Sequence, residues 1–281
     1  MSTKNALTNE GNFVNMFNTN DFYKQKILTD LGKNPEESNN WKAIKPKKKN
    51  NINIAQTEQW REYKNGSKET SPSPKTDVIL RNIITDEKIK ISIKSGIGRP
   101  TSADYHETNA LFRLVLNQFG IFKHTKNKTK KKMYDELLIL VNTLFSIWEL
   151  NKTVLKFEHP VKYYKKNIEE MPPIVSHYKK YIDEMNILWK RLYTEFPGFI
   201  RNVMIECLRG SHKFGSNDGC ADKLVILKNS KSVDVETIIN LNNEENSNLI
   251  NYCNKLILNR PFAFKSSKGK SPLRKIWIRF C

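Results

Sequence analysis

Two β-rich runs joined by a short polar turn constrain this chain more than any other feature. Asp77-Val-Ile-Leu-Arg-Asn-Ile-Ile84 and Lys88-Ile-Lys-Ile-Ser-Ile-Lys94 flank Thr85-Asp-Glu87 and read as a β-hairpin. A turn at Asp86-Glu87 sets Ile84 opposite Ile89, Leu80 opposite Ile93 and Ile79 opposite Lys94. Side chains alternate along a strand, and paired residues share a face. One face then carries Val78, Leu80, Ile84, Ile89, Ile91 and Ile93, a core face. The other carries Asp77, Ile79, Arg81, Ile83, Lys90, Ser92 and Lys94. A register change by an even number keeps this grouping, whereas a one-residue slip scatters it.

The flanking sequence gives the organisation. The 281 residues suffice for one large domain with an appendage. Residues 1–75 read as an N-terminal helical and basic arm, with an amphipathic stretch from Phe13 to Leu31 that includes Phe17, Phe22, Ile27 and Leu28. Residues 76–281 read as the main domain. Its parts are the hairpin and a helix over 76–120, a helical region over 121–210 and C-terminal strands over 221–281. The helix after the hairpin is predicted to start near Thr101 or Ser102, either a suitable N-cap, and to run to Phe119. Strands are predicted at 223–228, 261–265 and 275–280; the Asn-rich Asp234 to Asn248 carries no functional signature.

Several classes fall away. No apolar run reaches the ~18 residues of a membrane span. The N-terminus lacks the apolar core of a signal peptide, so a cytoplasmic protein with no membrane partner is expected. Cys207, Cys220, Cys253 and Cys281 form no CxxC pair, which disfavours a zinc finger and predicts free thiols. There is no P-loop and no dinucleotide fingerprint. Each tryptophan reads as a packing residue.

The hairpin's polar face carries the chemistry. Asp77 and Lys94 meet at its open end. A carboxylate binds a hard cation such as Mg²⁺. A lysine beside it offsets charge building on an attacked phosphate. A plain ion pair is the competing reading. In the next helix Glu107, Ala110, Leu111, Leu114 and Gln118 follow helical spacing, so Glu107 lies on the stripe expected to face the sheet. A carboxylate there needs a partner, and a cation shared with Asp77 is one.

Asp77, then Ser92-Ile-Lys94, then Glu107 in a helix resembles the PD-(D/E)xK nuclease superfamily. It is most similar to restriction endonucleases whose triplet reads Ser-x-Lys and whose second acid has migrated to the following helix. Pro74-Lys-Thr-Asp77 stands in for the Pro-Asp, with the proline displaced. The resemblance covers about residues 74–110. It implies a restriction-endonuclease-like α/β core with a mixed central sheet flanked by helices. Asp77, Glu107 and the carbonyl of Ile93 would hold Mg²⁺, Lys94 would position the attacking water, and Ser92 would fill the vacated acidic position. Glu206, in Glu206-Cys-Leu-Arg-Gly-Ser-His-Lys213, is a candidate extra acid, with a structural role as its alternative.

The charge agrees with a polyanionic partner: 48 Lys and Arg against 29 Asp and Glu give +19. Lys and Asn are abundant enough for A+T-rich coding sequence to account for part of this. Candidate DNA contacts are Arg99, Lys123, Lys126, Lys128, Lys130, Lys213 and Lys268. The expected function is Mg²⁺-dependent endonucleolytic cleavage of double-stranded DNA, of restriction type. The alternatives are a same-fold nuclease of repair or recombination, a non-catalytic basic DNA-binding protein, and an RNA-binding or packaging protein. Restriction enzymes of this arrangement often dimerise, but no homodimer interface is legible in the sequence.

Overall fold

A computed structural model of the chain describes residues 3–46, 57–63, 74–95, 101–103, 105–154, 173–229, 232–243, 245–256, 262–264 and 276–280. The chain forms two compact units. The first comprises Met1–Glu62, Gly66–Arg99 and Ile205–Cys253; the second comprises Tyr63–Asn65, Pro100–Met204 and Asn254–Cys281. Residue 75 is a boundary of neither, and the N-terminal helices belong with the hairpin.

In chain order the elements begin with α1 (Thr3–Thr19), α2 (Asp21–Asp30), β1 (Trp41–Ile44), α3 (Glu58–Tyr63), β2 (Val78–Asn82) and β3 (Lys88–Ser95). Next come β4 (Thr101–Ala103), α4 (Tyr105–Phe119), α5 (Lys128–Val154), α6 (Pro173–Glu195) and α7 (Pro197–Arg209). The last are α8 (Ser211–Phe214), β5 (Lys223–Leu227), β6 (Val235–Asn240), α9 (Ser247–Leu256), β7 (Phe262–Phe264) and β8 (Ile276–Phe280). The fold is α/β, with a five-stranded mixed sheet in the order β1-β2-β3-β5-β6. β3 and β5 are parallel, and the other neighbours are antiparallel. A parallel pair needs a long crossover, and here the crossover contains most of the second unit.

The first unit's core follows from amphipathic spacing. Phe13 and Phe17 of α1, and Tyr23 and Ile27 of α2, lie four residues apart on single helix faces. With Leu28 they pack on Trp41, Ala43, Val78, Leu80, Ile89, Ile91, Ile93, Val225 and Leu227. The side chain of Asn20 caps α2 by accepting the N–H of Tyr23 at 2.8 Å. That cap sets the phase of α2, which turns Phe22 outward at 80% exposure against expectation.

The hairpin forms with a register four residues from the expected one: Val78 faces Ile91 and Leu80 faces Ile89. A two-residue turn needs positive φ at its first central residue, and in the type I′ form at the second as well, which Asp86-Glu87 favours less than a glycine-containing pair does. The chain instead makes a wider tip. The Asn82 side chain accepts the N–H groups of Ile84 (2.9 Å) and Thr85 (3.1 Å). Asp86 takes φ +58°, and the Asn82 N–H donates to the Glu87 carbonyl. Ile83 and Ile84 therefore sit in the tip, exposed, and Ile84 leaves the predicted core face. The shift is even, so Asp77, Ser92 and Lys94 keep a common face. Ile79 on that face is buried, so the sheet is covered there too.

Three further expectations change. Thr101 to Ala103 pair with Ile278 to Phe280 as a strand, so the helix begins at Tyr105. β7 and β8 do not extend the central sheet; with β4 they form a separate three-stranded sheet in the second unit. The central sheet's edge is instead β6, from the Asn-rich stretch. α4 packs within the second unit: Phe112 lies 5.3 Å from the ring of Phe145, 6.0 Å from Trp189 and 5.5 Å from Phe199. Among the described residues no helix is long and apolar enough to cross a membrane.

Phe17→Ala is expected to lower stability in chemical denaturation by about 3–5 kcal/mol, the cost of emptying a closed aromatic site. Phe22→Ala, on the exposed face of α2, is expected to change it by less than about 0.5 kcal/mol.

Candidate functional site

Asp77 stands one residue before β2, and the register places it opposite Ser92. Its N–H donates to the Ile91 carbonyl at 2.8 Å, so its backbone is still part of the ladder. Its side chain then turns to β3. Oδ2 accepts the N–H of Ile93 at 2.7 Å and the hydroxyl of Ser92 at 3.3 Å. The Nζ of Lys94 lies 3.8 Å from the same oxygen. Oδ1 makes no hydrogen bond with any described residue. Three of the predicted residues thus meet at one carboxylate oxygen, while the other oxygen has no described partner.

The segment before Asp77 is strapped down. The Lys75 N–H donates to the Gly219 carbonyl at 2.8 Å, and the hydroxyl of buried Thr76 donates to the Cys220 carbonyl at 2.9 Å. The side chain of Lys75 also runs close to Gly210. A Cβ at Gly210 would lie 2.7 Å from Lys75 Cγ, and its φ is +76°. Only glycine satisfies both constraints.

A second acid and lysine flank β3 on its other side. The Lys90 N–H donates to Asp222 Oδ2 at 3.3 Å, and Lys90 Nζ lies 3.7 Å from Oδ1. The same ammonium donates to the carbonyls of Ser216 (3.0 Å) and Asn217 (3.2 Å). The sequence offered Lys90 only as a polar-face residue and gave no sign of Asp222. The alternation of β3 was the one available signal, since it places Lys90, Ser92 and Lys94 together.

Glu206 is committed elsewhere. It is 5% exposed and accepts the Ser211 hydroxyl and the His212 N–H, both at 2.6 Å. His212 Nδ1 lies 2.8 Å from Oε2. Burial pushes this carboxyl up, but the hydrogen bonds and charge of His212, with the Ser211 hydroxyl, outweigh it and hold it below the usual range. No described hydrogen bond or ion pair joins Glu206 to Asp77, so it ties α7 to α8.

Lys213 is a correction. It is 3% exposed, with Nζ 5.3 Å from the rings of both Trp60 and Phe214, so it is a packed cation and not a surface contact. Ser92 is also buried, at 1% exposure, and its hydroxyl braces Asp77. Ile93 meets Asp77 through its N–H, whereas its carbonyl was the expected ligand. Glu107 lies in α4 of the second unit, and its side chain is outside the described residues, as are Arg99 and Lys268. Lys123, Lys126, Lys128 and Lys130 are exposed. Cys207, Cys220 and Cys253 are buried free thiols; Cys281 is outside the described residues.

The chain matches no family model, no curated protein and no solved structure. Its chemistry therefore rests on the geometry. Among the described residues no three His, Cys, Asp or Glu side chains cluster as a metal site. Asp77 alone, with one hard oxygen lacking a described partner, suits one ligand position of Mg²⁺, which commonly takes one or two carboxylates and completes its shell with water and phosphate.

Two predictions separate structural from reactive groups. Lys90→Met is expected to cost about 1–3 kcal/mol in chemical denaturation, because it removes the ion-pair partner of Asp222 and the donor to two carbonyls. Lys94→Met, removing one half-exposed ion pair, is expected to cost less than about 1 kcal/mol. Glu206→Gln tests the α7–α8 tie. A lowered folded pKa stabilises the protein above the unfolded value near about 4.3. The wild type's advantage over this variant is therefore expected to be largest near neutral pH and to vanish as pH falls through the folded pKa; stability curves measured from pH 7 to 3 check it.

Proposed function

We propose that the chain is a Mg²⁺-dependent endonuclease acting on double-stranded DNA. The observation that carries this reading is the Asp77–Lys94 pair. A braced carboxylate, one of whose oxygens has no described partner, lies 3.8 Å from an ammonium that has no other described partner. The pair sits in a mixed sheet flanked by helices, as the resemblance to PD-(D/E)xK nucleases implies. The net charge of +19 suits a polyanionic substrate.

The residues divide the work as follows. Asp77 offers Oδ1 as a metal ligand while Ser92 and the Ile93 N–H fix Oδ2. Lys94 sets positive charge where a phosphate would gain negative charge, and it orients the attacking water. Bound Mg²⁺ would supply Lewis-acid polarisation of the phosphate. Restriction-type site specificity and action as a homodimer are the finer form of the proposal.

A second reading has its own support. Asp77 Oδ2 satisfies the ladder N–H of Ile93, a sufficient structural reason for an aspartate. On that reading the chain binds DNA without cutting it.

Incubation with supercoiled plasmid, with Mg²⁺ or with EDTA, decides between them. The nuclease reading expects nicking or linearisation only with Mg²⁺. Asp77→Ala and Lys94→Ala are each expected to slow it about 100-fold or more. Discrete fragments from a long duplex would mark site specificity, and a smear would not. Binding by a folded wild type with no Mg²⁺-dependent cleavage, on modified and unmodified DNA, would favour the second reading.

A further inference from the structure

The lysines of the central sheet and those of the helical unit are held in different ways. In the first unit Lys33 pairs with Glu87, Lys45 with Glu10, Lys88 with Asp218, Lys90 with Asp222 and Lys94 with Asp77. In the second unit Lys123, Lys126, Lys128, Lys130, Lys131 and Lys132 fall within ten residues and are all exposed. Of these six only Lys132 makes a described ion pair, with Glu136 at 3.9 Å. Asp135, also exposed in that turn, makes none.

This is an ordered surface. Asn127 Oδ1 accepts the Lys130 N–H at 3.1 Å and fixes the start of α5. Lys130 Nζ lies 5.5 Å from the Phe122 ring, which ties the helix to the 3₁₀ turn at Gly120–His124. Lys128, Lys131 and Lys132 share one helix face at three- and four-residue spacing, with Cβ atoms about 5–6 Å apart. The first turn of α5 has no acidic residue. A lysine there opposes the helix dipole at about 0.3–1 kcal/mol each and repels its neighbours. A lysine-rich composition supplies such residues but does not concentrate them, without acids, where they destabilise. A dense row of anions offsets both costs, and duplex DNA presents one charge per about 1.7 Å of axis.

We propose that Lys123, Lys126, Lys128, Lys130, Lys131 and Lys132 form a surface of the helical unit that holds the phosphate backbone of duplex DNA without reading its sequence. The proposal rests on the DNA reading above but not on catalysis.

The test uses full-length protein carrying Lys128→Gln, Lys130→Gln, Lys131→Gln and Lys132→Gln together. A charge-matched control carries Lys26→Gln, Lys42→Gln, Lys180→Gln and Lys190→Gln, all exposed lysines elsewhere. Binding of a labelled duplex is followed by fluorescence anisotropy across a salt series in EDTA. The α5 variant is expected to bind about tenfold or more weakly near 0.1 M salt, with a log–log salt slope flatter by about three to four. Its melting temperature is expected to hold or rise as the helix start is relieved of like charge. Should it melt lower, Lys128→Gln alone is expected to flatten the slope by about one. Equal weakening by the control, or an unchanged slope in the α5 variant, would overturn the proposal and leave the nuclease reading standing. Loss of single-stranded RNA binding with duplex binding intact would overturn the assignment to DNA. A folded wild type that binds no duplex at all would sink both.

Discussion

The bond from the Ile93 N–H to Asp77 Oδ2, at 2.7 Å, is the contact on which the site depends. The side chain of Asp77, rather than a further β2 carbonyl, takes this donor from β3. A buried N–H left without a partner costs about 1–3 kcal/mol. By taking that bond, Asp77 finishes the β2–β3 ladder and is itself immobilised beside Lys94. The strap through Lys75, Thr76, Gly219 and Cys220 holds the approach to that position, and Gly210 makes room for it. One oxygen serves the fold, and the other has no hydrogen-bond partner among the described residues.

β3 carries a second aspartate–lysine pair, and the contrast assigns roles. Lys90 holds Asp222 and two carbonyls of the loop before β5, so its ammonium is consumed by structure. Lys94 has Asp77 as its one ion-pair partner among the described residues. Of two similar lysines four residues apart on one face, Lys90 is held by three described partners beyond the strand and Lys94 by one. Glu206 and Lys213 show the same principle. Each sits in a segment rich in functional residue types, and each is sequestered by its own turn or by aromatic rings.

Charge is distributed unevenly as well. The central sheet pairs most of its described lysines with carboxylates, at separations where surface pairs are worth about 0–1 kcal/mol. At the start of α5 only Lys132, of six exposed lysines, has a described carboxylate partner. A total of +19 conceals this difference.

The sequence alone made legible the hairpin, the two faces of its strands and hence the company of Asp77, Ser92 and Lys94. Those follow from a two-residue period that survives an even slip in register. It also determined the amphipathic N-terminal helices and most of the buried tryptophans. Tertiary structure decided what local pattern does not encode. The tip geometry at Asn82 and Asp86 set the register and expelled Ile83 and Ile84. Pairing with Ile278 to Phe280 turned Thr101 to Ala103 into a strand, and those partners lie far along the chain. The parallel neighbour β5 brought Asp222 to Lys90 across a crossover of more than one hundred residues. α4 packs into the helical unit, where Phe112, a residue outside the expected stripe, meets three aromatic partners. Periodicity says which side of an element is buried, and only long-range contacts say against what.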